Sequence, residues 1–442
     1  MCDIYRNSSL TISAACSASD LSGFLWETPP QARVNHEDML SSDPIHTRAW
    51  TFQETLLPRR LLSFGSCEMY WECERHKTCQ CGRIDSYETE VDGRRGYRQS
   101  TSQIIKGHHY VGKEEDVPIF SSYCIGSALG CTERELQDVL SGVIPDDSSM
   151  QYAGHEEWII YKDDSKAHIK AFYKYWRCTL VPVYTQRKLS KFGDKLIALQ
   201  AIATDIQSGM RDDYLAGLWR GDLRRQLCWV SLDPKAIATG NGSPSWSWAS
   251  ISGPVGPYRE QEGRRTRFAD IRTMKILDAS CSAAGSNRCG KTSNGKLVVS
   301  GSAFRAFLSL DPGSGIFSFR VSSWDDTTSW PDNLPEFDIN FSPDTALSPG
   351  RRQNVTRRET FGPSRAIPWS PVVLYAVSLV AADNPPRSWI PNTVVLLVLS
   401  AVNDLHPSWS TPAYSRIGIG YADRHDLTEL TGVSEYRKIR IV

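Results

Sequence analysis

The sequence predicts an α/β fold at the start of the chain, followed by a helical segment and a β-rich C-terminal region. Short β-prone runs alternate with helical runs over the first 85 residues. Apolar residues then recur at helical spacing between residues 166 and 230, and short β-like runs follow Ser243. The chain of 442 residues is therefore divided into residues 1–85, a connector at 86–165, and a C-terminal domain at 166–442.

The α/β part is predicted from four neighbouring runs. Leu10–Cys16 is apolar and β-prone, and Arg48–Leu57 suits a helix that ends at Pro58, because proline is disfavoured inside a helix. Arg60–Phe64 and Cys67–Trp71 read as two strands of a hairpin around a Gly-Ser pair. The connector at 86–165 is polar and weakly periodic, which indicates loops and a few short helices between two domains.

Helical signals return after residue 166. Asp194 can cap a helix that ends near Gly209 and carries one apolar face, formed by Leu196, Leu199, Ala203 and Ile206. A second predicted helix has an apolar stripe formed by Trp219, Leu223, Leu227 and Val230. Stripes of this kind usually pack a core, so we predict a structural role for both.

The remainder of the chain is predicted to be β-rich, with a sandwich as the expected architecture. The predicted strands are Trp246–Ile251, Lys296–Ser300, Ile316–Val321, Val372–Val380, Val394–Leu399 and Ile417–Tyr421. Between them, Asp311–Arg365 is rich in Pro, Ser and Asp and is expected to contain an exposed, mobile insertion.

Composition limits the classes of function. The 50 basic and 50 acidic residues balance, and the basic runs Arg264–Arg267 and Arg357–Arg358 are short, so nucleic-acid binding is not expected. The N-terminus lacks a signal-peptide pattern, and the apolar runs Val372–Ala382 and Val394–Val402 are about half the roughly 20 residues of a spanning helix. We therefore expect a cytoplasmic protein without a membrane span, in which the 12 cysteines are mostly reduced.

Several motifs, taken in order, resemble the fungal heterokaryon-incompatibility (HET) family. Ile4-Tyr5, the strand-like Leu10–Ala15 and Gly23-Phe24-Leu25 are similar to early segments of the family's domain. The family's central and terminal motifs are matched by Arg48, Trp50, Gln53 and Glu54, and by Trp71, Glu72 and Cys73. Downstream, similar segments are Asp194–Leu199, Tyr214–Trp219 and Pro244–Ser250.

This resemblance implies a fold distantly similar to Toll/interleukin-receptor-like domains and a role in self/non-self recognition that ends in programmed cell death. It implies protein partners, such as another incompatibility factor, and no cofactor. Family members usually carry further strands upstream of Ile4-Tyr5, so residues 1–85 correspond to the C-terminal half of the HET domain. We expect either a misassigned start or a damaged copy, and an inert truncated copy is one alternative function.

A second alternative is an enzyme. Some Toll/interleukin-receptor-like domains cleave NAD with a glutamate, and Glu54 is the motif glutamate that we consider first for this catalytic role. The competing interpretation is that Arg48 and Glu54 are structural, because polar groups in an apolar helix need partners. Trp50 and Trp71 are predicted to lie in the core, given the size of their side chains.

A cysteine cluster raises the question of zinc. Thiolates and imidazole are suitable ligands, and the candidates are Cys67, Cys73, His76, Cys79 and Cys81. Structural zinc sites usually use two Cys-x2–4-Cys knuckles, whereas Cys79 and Cys81 are separated by one residue. Cys73 is also accounted for by the family motif, so we predict no metal site.

Overall fold

The computed structural model divides the chain into two compact units, Met1–Asp213 and Tyr214–Val442, which we call unit 1 and unit 2. The residues that it describes are 2–19, 21–25, 43–66, 68–73, 77–80, 88–91, 94–97, 172–173, 175–257, 266–267, 274–310, 316–322, 333–334, 336–337, 339–346, 370–382, 393–402, 412–422 and 435–442.

Unit 1 contains a four-stranded sheet within its described residues. Its strands are β1 (Thr11–Ser13), β2 (Arg60–Phe64), β3 (Met69–Cys73) and β4 (Lys77–Cys79), in that order. β1 and β2 are parallel, whereas β2, β3 and β4 form antiparallel pairs. A helix at Thr51–Leu56 lies between β1 and β2 in sequence, as a parallel connection requires. The predicted mixture of helices and strands is therefore confirmed.

Among the described residues of unit 1, short α-helices with resolved bounds are α1 (Cys2–Arg6), α2 (Thr51–Leu56), α3 (Val181–Thr185) and α4 (Gln200–Met210). A π-helical turn covers Trp176–Leu180, and 3₁₀ turns cover Pro44–Thr47, Phe192–Asp194 and Ile197–Leu199. α4 ends where Arg211 adopts a left-handed conformation with φ of 53°, a common way to end a helix.

The helical segment that we predicted to open a C-terminal domain at residue 166 is grouped with unit 1, which extends to Asp213. The ring centroids of Phe52 in α2 and Tyr184 in α3 lie 5.6 Å apart. Just before α2, the Ala49 amide donates a hydrogen bond to the Lys188 carbonyl oxygen at 3.0 Å. Apolar packing on α2 therefore joins this segment to the first domain, a contact that sequence spacing does not reveal.

The two helix predictions in this region had different outcomes. The face formed by Leu196, Leu199, Ala203 and Ile206 is buried as expected, although the α-helix begins at Gln200 rather than at a cap on Asp194.

The second predicted helix, over residues 219–230, is wrong. It reduces to α5 (Leu223–Gln226), which is preceded by the hairpin of β7 (Tyr214–Leu215) and β8 (Leu218–Trp219). The hairpin forms because Ala216 and Gly217 both adopt positive φ, which turns the chain back before a helix can start.

The connector predicted at 86–165 contains a hairpin of β5 (Glu88–Val91) and β6 (Arg94–Tyr97), where we expected loops and short helices. Residues 98–165 lie outside the described part of the chain, so the prediction for them is untested.

Unit 2 is β-rich, as predicted. After β7 and β8 come β9 (Trp229–Ser231), β10 (Val255–Pro257), β11 (Thr266–Arg267), β12 (Met274–Ala283), β13 (Thr292–Leu310), β14 (Phe317–Ser322), β15 (Glu336–Phe337), β16 (Asn340–Pro343), β17 (Ser370–Ala382), β18 (Thr393–Ala401), β19 (Ala413–Ala422) and β20 (Glu435–Ile441).

The large sheet of unit 2 closes on itself. β13 pairs with β17, β17 with β18, β18 with β19, β19 with β20, and β20 again with β13. β13 has 19 residues and is long enough to pair with β20 along one part and with β17 along the next. In the described residues, these strands therefore form a closed ring instead of the sandwich that we expected. In addition, β12 and β14 pair with β13, and β16 pairs with β19.

One further prediction in unit 2 needs correction. Trp246–Ile251 is not a strand; it contains a 3₁₀ turn at Trp248–Ser250, capped by the Ser247 hydroxyl. Within Asp311–Arg365, where we expected an exposed insertion, lie β14, β15 and β16, of which β14 and β15 contribute Phe319, Val321 and Phe337 to a buried apolar cluster. Residues 311–315, 323–332 and 347–365 lie outside the described part of the chain, so the insertion stays a prediction. Among the described residues, no helix is long and apolar enough to cross a membrane.

Candidate functional site

The helix α2 carries the central motif and has one buried face. Phe52, Gln53 and Leu56 are buried, whereas Glu54 is only partly buried. The Thr51 hydroxyl donates to the Arg48 carbonyl oxygen at 2.8 Å at the start of the helix, and Pro58 follows its end as predicted. The sequence thus places Glu54 at the border between the core and solvent.

Glu54 is the best candidate for chemistry in unit 1. Burial raises the pKa of its carboxyl group, while a hydrogen bond from Tyr5 and the charge of Arg48 act in the opposite direction. The pKa of Tyr5 is raised by burial and by the charge and hydrogen bond of Glu54. The fold therefore brings the Tyr5 phenol, 49 positions earlier in the sequence, to the carboxyl group of Glu54, which also experiences the charge of Arg48.

The N-terminal helix α1 is attached beside this cluster. Arg6, next to Tyr5, forms an ion pair with Asp205 of α4, whose side chain is buried. The Ser8 hydroxyl donates to the Tyr5 carbonyl oxygen at 2.7 Å and closes the turn that leads to β1. α1 is therefore bonded to both α2 and α4 through two consecutive side chains.

Gln53 lies behind Glu54 in the protein interior. Its side chain is 2% exposed, and its Oε1 has no hydrogen-bond partner among the described residues. A buried amide oxygen without a partner costs free energy, so Gln53 lowers the stability of the fold at this position.

Arg187 contacts both α2 and the segment just before it. Its guanidinium carbon lies 4.7 Å from the centroid of the Phe52 ring, and its Nη1 donates to the Arg48 carbonyl oxygen at 3.3 Å. Burial lowers the pKa of Arg187 to about 10. This arginine positions the segment that carries Arg48, and sequence reasoning missed it because no motif includes it.

The remaining motif residues lie elsewhere. Trp71, Glu72 and Cys73 are in β3, where Glu72 pairs with Leu61 of β2 and Cys73 with Arg60. Trp50 and Trp71 are partly buried, so the prediction that both lie in the core is wrong. Trp50 precedes the first turn of α2 and Trp71 is in a short sheet, and neither position is enclosed on all sides.

The two described cysteines that we considered for zinc, Cys73 and Cys79, lie on opposite faces of the unit 1 sheet. Cys79 of β4 pairs with Tyr70 of β3, so alternation along β3 places Cys73 on the opposite face. Cys67, His76 and Cys81 lie outside the described residues. Within the described part of the chain, no group of three or more potential metal ligands occurs.

In unit 2, hydrogen bonds join two of the motifs that carry the resemblance. The Ser247 hydroxyl donates to the Ala216 carbonyl oxygen, and Trp248 Nε1 donates to the Gly217 carbonyl oxygen at 3.0 Å. Gly217 has φ of 99°, and a Cβ there would lie 2.7 Å from the Trp248 ring. The motifs at 214–219 and 244–250 therefore form one buried structural block.

A buried arginine network completes this block. Arg416 Nε and Nη2 donate to the two carboxylate oxygens of Asp344 at 2.8 and 3.0 Å. Its Nη1 and Nη2 also donate to the carbonyl oxygens of Leu227 and Trp229 at 2.6 and 2.7 Å. The guanidinium carbon lies 3.7 Å from the centroid of the Trp229 ring. Because all three guanidinium nitrogens are bonded and the group is buried, we assign Arg416 a structural role.

The chain matched no family model, no curated protein and no solved structure when it was compared with each of these.

Proposed function

We propose that the protein is a cytoplasmic signalling protein of the heterokaryon-incompatibility type, which responds to a partner protein, such as another incompatibility factor, by triggering cell death. In this proposal unit 1 is a partial HET domain with a Toll/interleukin-receptor-like arrangement. The surface around α2 transmits the signal, and unit 2 senses or regulates.

One observation carries this proposal: segments selected by resemblance alone contact each other after folding. Tyr5 of the first motif bonds to Glu54 of the central motif in unit 1. Gly217 and Trp248, from two later motifs, bond to each other in unit 2. Unrelated matches scattered along a chain would have no reason to meet in pairs. The parallel pair of β1 and β2 around α2 also agrees with an α/β signalling domain.

The test is strong expression of the full chain in a filamentous fungus. We expect growth arrest, and we expect Trp50→Ala to abolish it because Trp50 is a partly exposed residue of the central motif, directly before α2. Phe192→Ala is the matched control, since Phe192 is a 42% exposed aromatic residue of unit 1 outside the motifs. A cooperative melting curve of each purified variant shows that it is folded. Normal growth of cells with well-expressed, folded wild-type protein contradicts the proposal.

A second candidate is hydrolysis of NAD, which is favoured by the position of Glu54 at the border between core and solvent, beside Tyr5 and within reach of the charge of Arg48. In this reaction the bond between nicotinamide and ribose breaks, water adds to the ribosyl carbon, and ADP-ribose, nicotinamide and a proton are released. Glu54 would stabilise the positive charge that develops on the ribose.

Release of free nicotinamide from NAD by the purified full chain tests this candidate. Glu54→Gln should reduce the rate by 100-fold or more, on the order of the loss of one electrostatic catalytic group. Glu68→Gln, a change of the same charge in the loop before β3, should retain the rate. The absence of nicotinamide release from a folded sample rejects the enzymatic candidate and leaves the signalling proposal to the growth test.

A further inference from the structure

The solvent-facing side of β12, β13 and β20 carries a group of cations that the motifs do not include. Ser300 of β13 pairs with Lys275 of β12 on one side and with Lys438 of β20 on the other. Directly paired residues project to the same face, so both lysines flank the small Ser300 side chain. Since neighbouring strands lie about 4.8 Å apart, the two lysine backbones are separated by roughly 10 Å.

Further residues of β20 and β13 lie on the same face as Lys275, Ser300 and Lys438. Along β20, alternation adds Tyr436 and Arg440 to the face of Lys438, and along β13 it adds Lys296 and Ser302. We call Lys275, Lys296, Lys438 and Arg440 the basic strip. Lys275 and Lys438 are exposed, and Tyr436 is 61% exposed. Between the long side chains of the strip, this face is formed by Ser300, Ser302 and the buried Val298, which pairs with Arg440.

One carboxylate is described on this face, and it does not neutralise the strip. Asp278 bonds to Lys296, with Oδ2 and Nζ 2.7 Å apart, and this hydrogen bond is the main cause that lowers the pKa of Asp278. The nearby charge of Arg220 acts in the same direction. Lys275 and Lys438 have no ion pair among the described residues, so the strip keeps a positive surplus.

We propose that the basic strip binds an extended, acidic segment of a partner protein. Lys438 and Arg440 are two residues apart in a strand, so their spacing of about 6.6 Å matches that of alternate carboxylates in an extended peptide. Tyr436 and Arg440 belong to residue types that are enriched at protein interfaces.

The strip suits a peptide better than a nucleic acid. A nucleic acid would need a longer track of phosphate contacts and several aromatic rings for stacking, whereas this face offers four cations, one aromatic ring and one carboxylate. The inference concerns unit 2 only, and it stands independently of the function proposed for α2 in unit 1.

The experiment measures binding of a fluorescein-labelled 12-residue peptide of alternating Glu and Ser to the full chain by fluorescence anisotropy. We expect saturable binding at low salt that weakens as salt screens the charges. The double substitution Lys275→Gln/Lys438→Gln should weaken it by about five-fold, the effect of losing two exposed charge pairs. The control Lys191→Gln/Lys235→Gln removes the same charge from exposed lysines outside the strip and should leave the affinity unchanged.

Three outcomes would overturn the proposal. One is the absence of saturable binding by the wild-type chain, and another is an equal loss of affinity in the control. The third is tighter binding of a single-stranded 12-nucleotide DNA than of the Glu-Ser peptide, with the same dependence on Lys275 and Lys438; this would make the strip a nucleic-acid site. Far-UV circular dichroism shows that both double variants are folded.

Discussion

Two polar sites in the molecule differ in how completely their groups are bonded. In unit 2, all three guanidinium nitrogens of Arg416 donate hydrogen bonds, and its charge is matched by Asp344. In unit 1, Gln53 leaves a buried oxygen without a partner among the described residues, and burial raises the pKa of Glu54. Arg416, whose three guanidinium nitrogens are all bonded, serves the fold, whereas Glu54 lies partly buried at the border with solvent and is available for chemistry or recognition.

The largest expected effect is at Arg416. Arg416→Met leaves the Asp344 carboxylate buried without its cation, so we expect a loss of about 3–5 kcal/mol in the free energy of unfolding. Equilibrium denaturation with urea measures it. The control is the exposed ion pair of Lys296 and Asp278, where Lys296→Met should cost less than about 1 kcal/mol. Equal losses at both positions would remove the distinction between a structural and a peripheral ion pair.

The next largest effect is expected at Gly217. Gly217→Ala combines an unfavourable positive φ with a Cβ 2.7 Å from the Trp248 ring, and we expect it to cost about 3 kcal/mol. Gly240→Ala is a matched control, because Gly240 has φ of 59° and no atom within 4 Å of the added Cβ. It should cost about 1 kcal/mol from the backbone alone. Similar melting temperatures for the two variants would mean that the packing on Trp248 contributes little.

Lys195 provides a test that depends on pH. Burial lowers its pKa from 10.5 to about 7. Between these values the unfolded chain binds a proton that the folded chain does not, so the free energy of unfolding should rise with pH by up to about 1.4 kcal/mol per unit. Below about pH 7 both states are protonated and this contribution is constant.

Lys195→Met should abolish this dependence, whereas Lys188→Met, at an exposed lysine of the same unit, should keep it. Denaturation with urea at a series of pH values from 6 to 10 measures the slope. A slope that persists unchanged in Lys195→Met would assign it to other groups.

The smallest expected effect concerns Tyr5. Tyr5→Phe removes a hydrogen bond that lowers the pKa of Glu54, so this pKa should rise further, as measured by carbon-13 NMR titration of the carboxyl group. Because the folded pKa already lies above 4.5, the stability from Glu54 is present below that pH and decreases as pH rises through the folded pKa. The free energy of unfolding should fall by about 1 kcal/mol.

Tyr173→Phe is the control for Tyr5→Phe. It removes a tyrosine hydrogen bond to another carboxylate, Asp212, and it should leave the titration of Glu54 unchanged. A shift of the Glu54 titration in both variants, or in neither, would contradict the proposed cluster.

Much of the local structure could be predicted from the sequence. The strand at Arg60–Phe64, the helix that ends before Pro58, and the apolar face of Leu196 and Ile206 follow from β-propensity, proline chemistry and periodicity. These signals act between residues that are close in the chain. They failed at residues 219–230, where the positive φ of Ala216 and Gly217 created a hairpin within an apparently helical pattern.

The site was only partly predictable for the same reason. Glu54 could be selected as a candidate from its motif, but its bond to Tyr5 joins residues 49 positions apart. Arg187 and Arg416 gave no sequence signal, because an arginine is usually a surface residue and only packing shows when it is buried.

The sequence by itself determined the mixed helical and β-rich character of the chain and the residues by which it resembles the HET family. Only the tertiary structure decided where the first unit ends, how β13 closes the ring of unit 2, and which polar groups remain incompletely bonded. Periodicity and propensity specify which face of an element is apolar. They do not specify which distant element covers that face, because this depends on the simultaneous packing of many side chains.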